Sequence, residues 1–233
     1  MPEAGTLLFL YEGAVFRLAD GAQAPKPGSL LLLRHLDVRD GDEVLDLGTG
    51  AGFAAILAAR HAKRVVATDV VPEAVALTSQ NAALNGVGDR VEARLGDGYD
   101  PVRGEIFDLI VSGAPQMPTP PERERDDWMA RADNGGLDGW AVLDRVIAGA
   151  PAHLEPGGRL RFSIFAFLGV RQGLGKLEAA GLEPRIMARE TQGFPRLGYE
   201  RLEHIRAHDL EGTLPRGIPT TVERLVLEGR RRR

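Results

Sequence analysis

Two carboxylates and three glycines in the first third of the chain have the types and spacing to hold a nucleoside. Asp46 stands two residues before Gly48, Gly50 and Gly52, with Thr49 between the first two glycines, in the stretch EVLDLGTGAG. Alternating glycines allow a tight turn with positive φ and let a ligand lie against bare main chain. Asp69 closes the run VVATD about 20 residues after the first glycine, where an acid can accept hydrogen bonds from ribose hydroxyls. The dinucleotide fingerprint G-x-G-x-x-G would need glycine at position 53, where this chain has Phe53. Phe53 and Asp46 together argue against a nicotinamide dehydrogenase.

These residues must be positioned by strands that stop abruptly and helices that point back at the gap. Val44 to Leu47 and Val65 to Asp69 read as short buried strands, and Phe53 to His61 as the helix between them, its N–H groups facing the loop. Pro72 to Gly86 is a further helix, Val91 to Leu95 a strand ending in Gly96-Asp97-Gly98, and Phe107 to Val111 a strand ending in Ser112-Gly113-Ala114-Pro115. A helix is expected over Leu137 to Leu154, then a break at Pro156-Gly157-Gly158 and a strand Arg159 to Phe167. After Gly169 come a helix to Ala180, a strand Pro184 to Arg189, an insertion 192–221 containing a short helix Tyr199 to His208, and a last strand Val222 to Leu227. Strands alternating with helices predict an α/β fold: a Rossmann-like, doubly wound, mostly parallel seven-stranded sheet with an antiparallel last strand. Ligands bind such sheets at the carboxyl ends of the strands.

The chain has 233 residues, 43% of them hydrophobic, enough for one α/β core. One domain over 1–233 is expected, with an N-terminal cap segment 1–40 and the 192–221 insertion. The formal charge of -4 argues against a nucleic-acid partner. The absence of cysteine excludes disulfides, thiolate metal sites and a cysteine nucleophile, and fits a cytoplasmic protein. His204 and His208 can share a helix face but lack a third ligand nearby, so no metal is expected. Pro2, Glu3 and Glu12 and the lack of a basic n-region lead to the expectation of no signal peptide, and no apolar run is long enough for a membrane span. Thr6 to Leu18 is a strand pair or an irregular lid, Asp20 to Gly28 a loop, and Ser29 the cap of a helix Leu30 to Leu36. Pro118 to Arg131 is a solvated loop, or a lid with Trp128 and Met129 facing inward, and Arg230 to Arg233 a solvated tail.

The loop around Asp46 resembles the first motif of the class I S-adenosylmethionine (SAM) methyltransferases. The stretch VVATDVVPEAVALTSQNAALNG is similar to the following motif in the branch that methylates exocyclic or amide nitrogens. That branch includes the release-factor glutamine methyltransferases and small-domain ribosomal RNA guanine methyltransferases. FDLIVSGAPQMP stands where those enzymes have a strand followed by N-P-P-Y, and Gly135, Gly136 and Gly139 with Pro156-Gly157-Gly158 extend the likeness. The resemblance covers roughly Leu30 to Phe167. It implies SAM as cofactor, with Asp46, Gly48, Thr49, Gly50 and Gly52 at its methionine part and Asp69 on the ribose hydroxyls. It also implies Asp97 on the adenine amine, Gly98 at the ring slot and Ser112 at the cofactor edge.

The resemblance breaks at the acceptor motif, where Gly113, Ala114, Pro115 and Gln116 replace N-P-P-Y and would be the catalytic turn. The asparagine carboxamide and the aromatic platform are both missing, though Gln116 can donate and accept and so orient a different polar acceptor. The implied activity is direct in-line methyl transfer to a small molecule or a peptide side chain. The alternatives are a protein glutamine or nucleobase N-methyltransferase and a SAM-binding protein with a decayed site. A proton acceptor, where one is needed, would come from Asp126, Asp127, Glu12 or a histidine. The N-terminal segment and the insertion either cover the pocket or pair two chains as a homodimer.

Overall fold

A computed structural model of the chain describes residues 7–18, 24–125, 127 and 132–233. Its centre is a seven-stranded sheet in the order β5-β4-β3-β6-β7-β9-β8. The strands are β3 (Glu43–Leu47), β4 (Arg64–Asp69), β5 (Val91–Leu95), β6 (Phe107–Ser112), β7 (Leu154–Phe165), β8 (Leu182–Gly193) and β9 (Thr221–Arg231). The first five are parallel, and β9 runs antiparallel to β7 and β8. The chain crosses from one half of the sheet to the other between β5 and β6, which leaves β3 and β6 as neighbours at the crevice between the halves.

Both faces are covered because adjacent strand residues point to opposite sides. Val44, Val65, Ala67, Leu109 and Val111 pack under α1 (Pro27–Leu33) and α2 (Phe53–Ala58), along with Leu77 of α3 (Pro72–Leu84). Leu45, Val66, Ile110 and Phe162 face α4 (Ala141–His153) and α5 (Val170–Ala179) on the other side. The N-terminal stretch forms a separate antiparallel hairpin, β1 (Leu7–Tyr11) and β2 (Ala14–Leu18). Between β8 and β9 the insertion carries α6 (Arg196–Glu200) and α7 (Leu202–His208).

Helix α1 is docked by charge as well as by apolar contact. Arg159 and Arg161 of β7 are 2% and 1% exposed. Arg161 donates to Glu228 from Nε (2.8 Å) and Nη2 (2.5 Å), and from Nη1 to the carbonyls of His35 (2.7 Å) and Leu36 (2.9 Å), just beyond the helix end. Carbonyls at a helix C-terminus have no intrahelical donor, and the guanidinium supplies one. Arg159 pairs with the buried Asp42 at 2.5 Å and donates to the Asp37 carbonyl.

Several expected boundaries are corrected. Helix α1 starts at Pro27, with Lys26 before it, so Ser29 lies inside the helix and is not its cap. Proline suits the first turn, where its missing N–H would have no partner. Helix α4 begins at Ala141, after Trp140, and not at Leu137. Strand β7 runs through Pro156-Gly157-Gly158, its pairing jumping from Phe107–Leu154 to Leu109–Arg159, so the break is absorbed as a register irregularity. Arg230 and Arg231 belong to β9, opposite Arg159 and Leu182, and are not a solvated tail. Thr6, Asp20, Asp126, Trp128, Met129 and Arg131 lie outside the described residues, so the inward-facing lid has no structural counterpart to weigh. Among the described residues no helix is long and apolar enough to cross a membrane.

Removing Glu228 leaves Arg161 buried, with the exposed Asp37 as its one carboxylate among the described residues. Glu228→Ala is expected to cost about 3–5 kcal/mol in urea unfolding; a loss under about 1 kcal/mol would mean that the pair does not anchor α1.

Candidate active site

The candidate site lies along the carboxyl ends of β4, β3 and β6. Strand β3 ends at Leu47, which is in register with Thr68 of β4 and Ser112 of β6. Gly48 and Thr49 then donate their N–H groups to the Thr68 carbonyl (2.9 and 3.0 Å), which turns the chain sharply. Gly48 and Gly50 have φ of 75° and 57°, and a Cβ built on either would meet no atom within 4 Å. The loop therefore presents bare main chain to open space.

Asp46 is 3% exposed and accepts from Thr49 Oγ1 (2.8 Å) and from the N–H of Ala55 in the first turn of α2 (3.1 Å). Burial, opposed by these two bonds, pushes its carboxyl up to about 6. Asp69 accepts from the N–H groups of Gly50 (2.9 Å) and Val71 (3.0 Å), and burial raises it too. Asp69 thus braces the glycine loop across two strands before any ligand is considered. Its neighbour Val70 is 47% exposed, an apolar surface at the same edge.

Helix α3 supports the loop from below with three polar side chains that the sequence reading missed. Thr78 Oγ1 donates to the Gly50 carbonyl (3.0 Å). Asn81 donates to the Ala51 carbonyl (2.9 Å) and exchanges two bonds with the backbone of Arg17, while Asn85 exchanges two with that of Val15. The carboxamides act as a partner strand for β2. Their signal was present, since positions 78, 81 and 85 fall on one helix face that is otherwise apolar. Phe53, the residue that breaks the dinucleotide fingerprint, stacks on Phe16 at 4.0 Å and meets Phe9 edge-on. It fastens the hairpin to the loop.

At the β5 end, Asp97 is half-exposed and paired with Arg145 of α4 at 2.6 Å, while the Gly98 carbonyl accepts from Thr68 Oγ1 at 3.4 Å. Ser112 is buried, its hydroxyl donating to the Leu47 carbonyl (3.1 Å), so it ties the two strand ends together. Gly113 is exposed, with nothing within 4 Å of a built Cβ, and Ala114 is buried in the core. Among the described residues the Pro115 carbonyl accepts no hydrogen bond.

Gln116 does not face that opening. Its Nε2 donates to the Ser163 carbonyl (2.8 Å), and its Oε1 accepts from the Phe165 N–H (3.0 Å) and from Arg224 Nη1 (3.0 Å). The expectation that it orients a polar acceptor is therefore corrected, because its hydrogen-bonding capacity is spent on β7 and β9. The turn is pressed from behind by Gly135 and Gly139, where a Cβ would sit 2.6 Å from Gln116 Cα and 2.7 Å from Gln116 O.

Of the expected proton acceptors, Glu12 lies in the hairpin turn and Asp127 accepts from Arg125 at 2.8 Å. His204 donates to the Leu137 carbonyl and His208 to that of His204. Among the described residues no group of three histidines or carboxylates could hold a metal ion.

This edge fits the cofactor that the resemblance implies. The bare loop at Gly48 and Gly50 leaves room for an amino-acid chain, Asp69 retains lone pairs beside it for ribose hydroxyls, and Val70 offers an apolar face. Asp97 can receive an amine only alongside Arg145.

Residues 14–127 match the family model of the methyltransferase small domain. The chain is 34% identical over 188 residues to a putative protein N5-glutamine methyltransferase of Methanocaldococcus jannaschii, with 80% of this chain and 93% of that protein aligned. It is 38% identical over 203 residues to the release factor glutamine methyltransferase of Cereibacter sphaeroides, covering 83% of this chain and 71% of that one. Among solved structures, the tRNA m1G37 methyltransferase of M. jannaschii superposes with a TM-score of 0.65 at 14% identity, over 98% of this chain and 57% of that one. At that identity the likeness concerns the fold alone.

The raised Asp46 carboxyl has a measurable consequence. A group with a higher pKa folded than unfolded stabilises below its unfolded value, 3.8, and loses that contribution as pH rises to about 6. Asp46→Asn removes the titration. Its stability relative to the unmodified chain should rise between pH 4 and pH 7, by at most about 3 kcal/mol, in denaturant unfolding at a series of pH values. A difference that stays constant with pH would show that Asp46 does not titrate in this range.

Proposed function

The chain belongs to the small-domain branch of the class I SAM-dependent methyltransferases, and on that premise we propose that it methylates a glutamine side chain of a protein at the Gly113–Gln116 turn. SAM is its cofactor, and when bound it supplies an electrophilic sulfonium methyl. The observation that carries the proposal is the Pro115 carbonyl, which has no hydrogen-bond partner among the described residues and lies one strand away from the glycine loop.

In this reading Asp46 and the glycine loop (Gly48, Thr49, Gly50, Gly52) hold the amino-acid end of the cofactor, and Asp69 holds its ribose. Asp97 and Gly98 border the adenine. Gly113, Ala114 and Pro115 form the acceptor wall, where the Pro115 carbonyl accepts from the target N–H and aims the nitrogen lone pair at the methyl group; the N–CH3 bond would form as the S–CH3 bond breaks, with S-adenosylhomocysteine as leaving group and one amide proton given up to solvent. Orientation and exclusion of water supply most of the rate enhancement, since the methyl group needs no acid to activate it. The glutamine acceptor is taken from the relatives, which act on release factors by name. Acceptors of that kind would place the protein in the cytoplasm. Residues 1–233 serve as one catalytic domain in this reading, with the described part of the N-terminal segment, β1, β2 and α1, as a cap, its hairpin held beside the glycine loop through Phe53.

A second reading, a small-molecule acceptor, is favoured by Gly113. With no side chain there and open space in front, the turn lacks the carboxamide that grips an amide in the N-P-P-Y enzymes and can admit a bulkier acceptor.

Incubation with methyl-labelled SAM and a bacterial release factor or ribosomal protein uL3 should place label on a glutamine, located by peptide mass spectrometry. Label on small amines or phenols and none on these proteins would overturn the glutamine reading. In calorimetry, Asp69→Ala should weaken SAM binding by more than about 1 kcal/mol, roughly fivefold. Unchanged affinity would remove Asp69 from the cofactor site.

A further inference from the structure

Arg224 of β9 is a buried cation with no carboxylate. It is 7% exposed, makes no ion pair among the described residues, and its Nε has no hydrogen-bond partner. The guanidinium carbon lies 3.3 Å from the Phe165 ring centroid on one side. It also lies against Gly28 of α1, where a Cβ would come within 2.4 Å of Cζ, so any other residue at 28 would make the plate shift. Among the described residues its one side-chain hydrogen bond runs from Nη1 to Gln116 Oε1.

Burying a charge without a counter-ion costs several kcal/mol, and an apolar residue would fill the space more favourably. Packing therefore does not account for arginine here. What a guanidinium adds is a charge-assisted bond to Gln116 and a flat face for Phe165. Gln116 Oε1 accepts from the Phe165 N–H while its Nε2 donates to the Ser163 carbonyl. These two β7 groups flank residue 164, as ladder partners in a parallel sheet do. The side chain of Gln116 thus continues the β6–β7 ladder beyond Ser112–Phe162, after the main chain has turned away to form the acceptor wall.

We infer that Arg224 is a positioning residue for the methyl-acceptor turn, fixing Gln116 in the β7 ladder and thereby holding the Pro115 carbonyl in place. The inference rests on the reading of Gly113–Gln116 as the acceptor site. Arg224 touches no substrate and acts only through Gln116. The arginine, glutamine and Gly28 form one device in which a helix, a strand and a turn meet at a single planar group.

The test uses the full chain saturated with S-adenosylhomocysteine and the variants Arg224→Met, Gln116→Met, their double, and Gly113→Val. Amide hydrogen exchange should quicken at least tenfold at Phe165 and across the 113–118 turn in both single variants, no further in the double, with the 46–52 loop unchanged. Unchanged exchange, additive effects of the two substitutions, or equal loosening of the whole sheet would overturn the inference. Should Arg224→Met fail to fold, Gly28→Ala decides in its place, since its added Cβ would displace the guanidinium while leaving both bonds of Gln116 to β7 intact: exchange should again quicken at Phe165 and across 113–118, and unchanged exchange would overturn the inference. With release factor as acceptor, kcat should fall more than tenfold in Arg224→Met while KM for SAM stays the same. If Gly113→Val leaves transfer intact, the acceptor-site reading fails. If Gly113→Val abolishes transfer and Arg224→Met spares both transfer and exchange, only the positioning role fails.

Discussion

Backbone N–H and C=O groups withdrawn from water need partners, and at the carboxyl edge of this sheet the main chain turns away before supplying them. Leaving room for a ligand at Gly48–Gly52 and Gly113–Pro115 means ending ladders early. Side chains take over where the main chain stops. Asn81 and Asn85 stand in for a strand beside β2, and Asp69 receives the Gly50 N–H. Gln116 closes the gap against β7, and Arg161 closes the end of α1. The open cradle and its rigidity come from the same set of bonds.

Charge follows the same logic. The buried arginines of β7 are matched by Glu228 and Asp42 and serve the scaffold. At the carboxyl edge of the sheet the groups are less well matched: Asp46 has a raised carboxyl, and among the described residues Asp69 is held by backbone donors alone and Arg224 has no carboxylate. Imperfect compensation of this kind costs stability and is tolerated where a ligand or a reacting group must be oriented. Asp46 lies close enough to the glycine loop for a cationic ligand to alter its proton affinity.

The turn after β6 shows how distant segments converge. It is backed by Gly135 and Gly139, bonded through Gln116 to β7, and locked by an arginine more than a hundred residues later. The departure from N-P-P-Y is therefore more than a loss of two side chains, because Gln116 has exchanged an aromatic surface for a structural bond.

The sequence by itself determined the alternation of strands and helices, the antiparallel last strand, the glycine loop with Asp46 and Asp69, and the turn that ends β6. Those features are local: hydrophobic period, glycine spacing and a carboxylate at a strand end can be read along the chain. Even Thr78, Asn81 and Asn85 were legible in principle, as polar residues on an apolar helix face. Tertiary structure decided the rest. No periodicity indicates that Gln116 faces β7 instead of the opening, that Phe53 fastens a hairpin, or that Arg224 lies against Gly28 and Phe165. Nor could it show that Pro156-Gly157-Gly158 lies within a strand, or that Arg230 and Arg231 are paired. Each depends on which backbone groups are left without partners once the sheet has assembled, and that is settled by contacts between residues far apart in the chain.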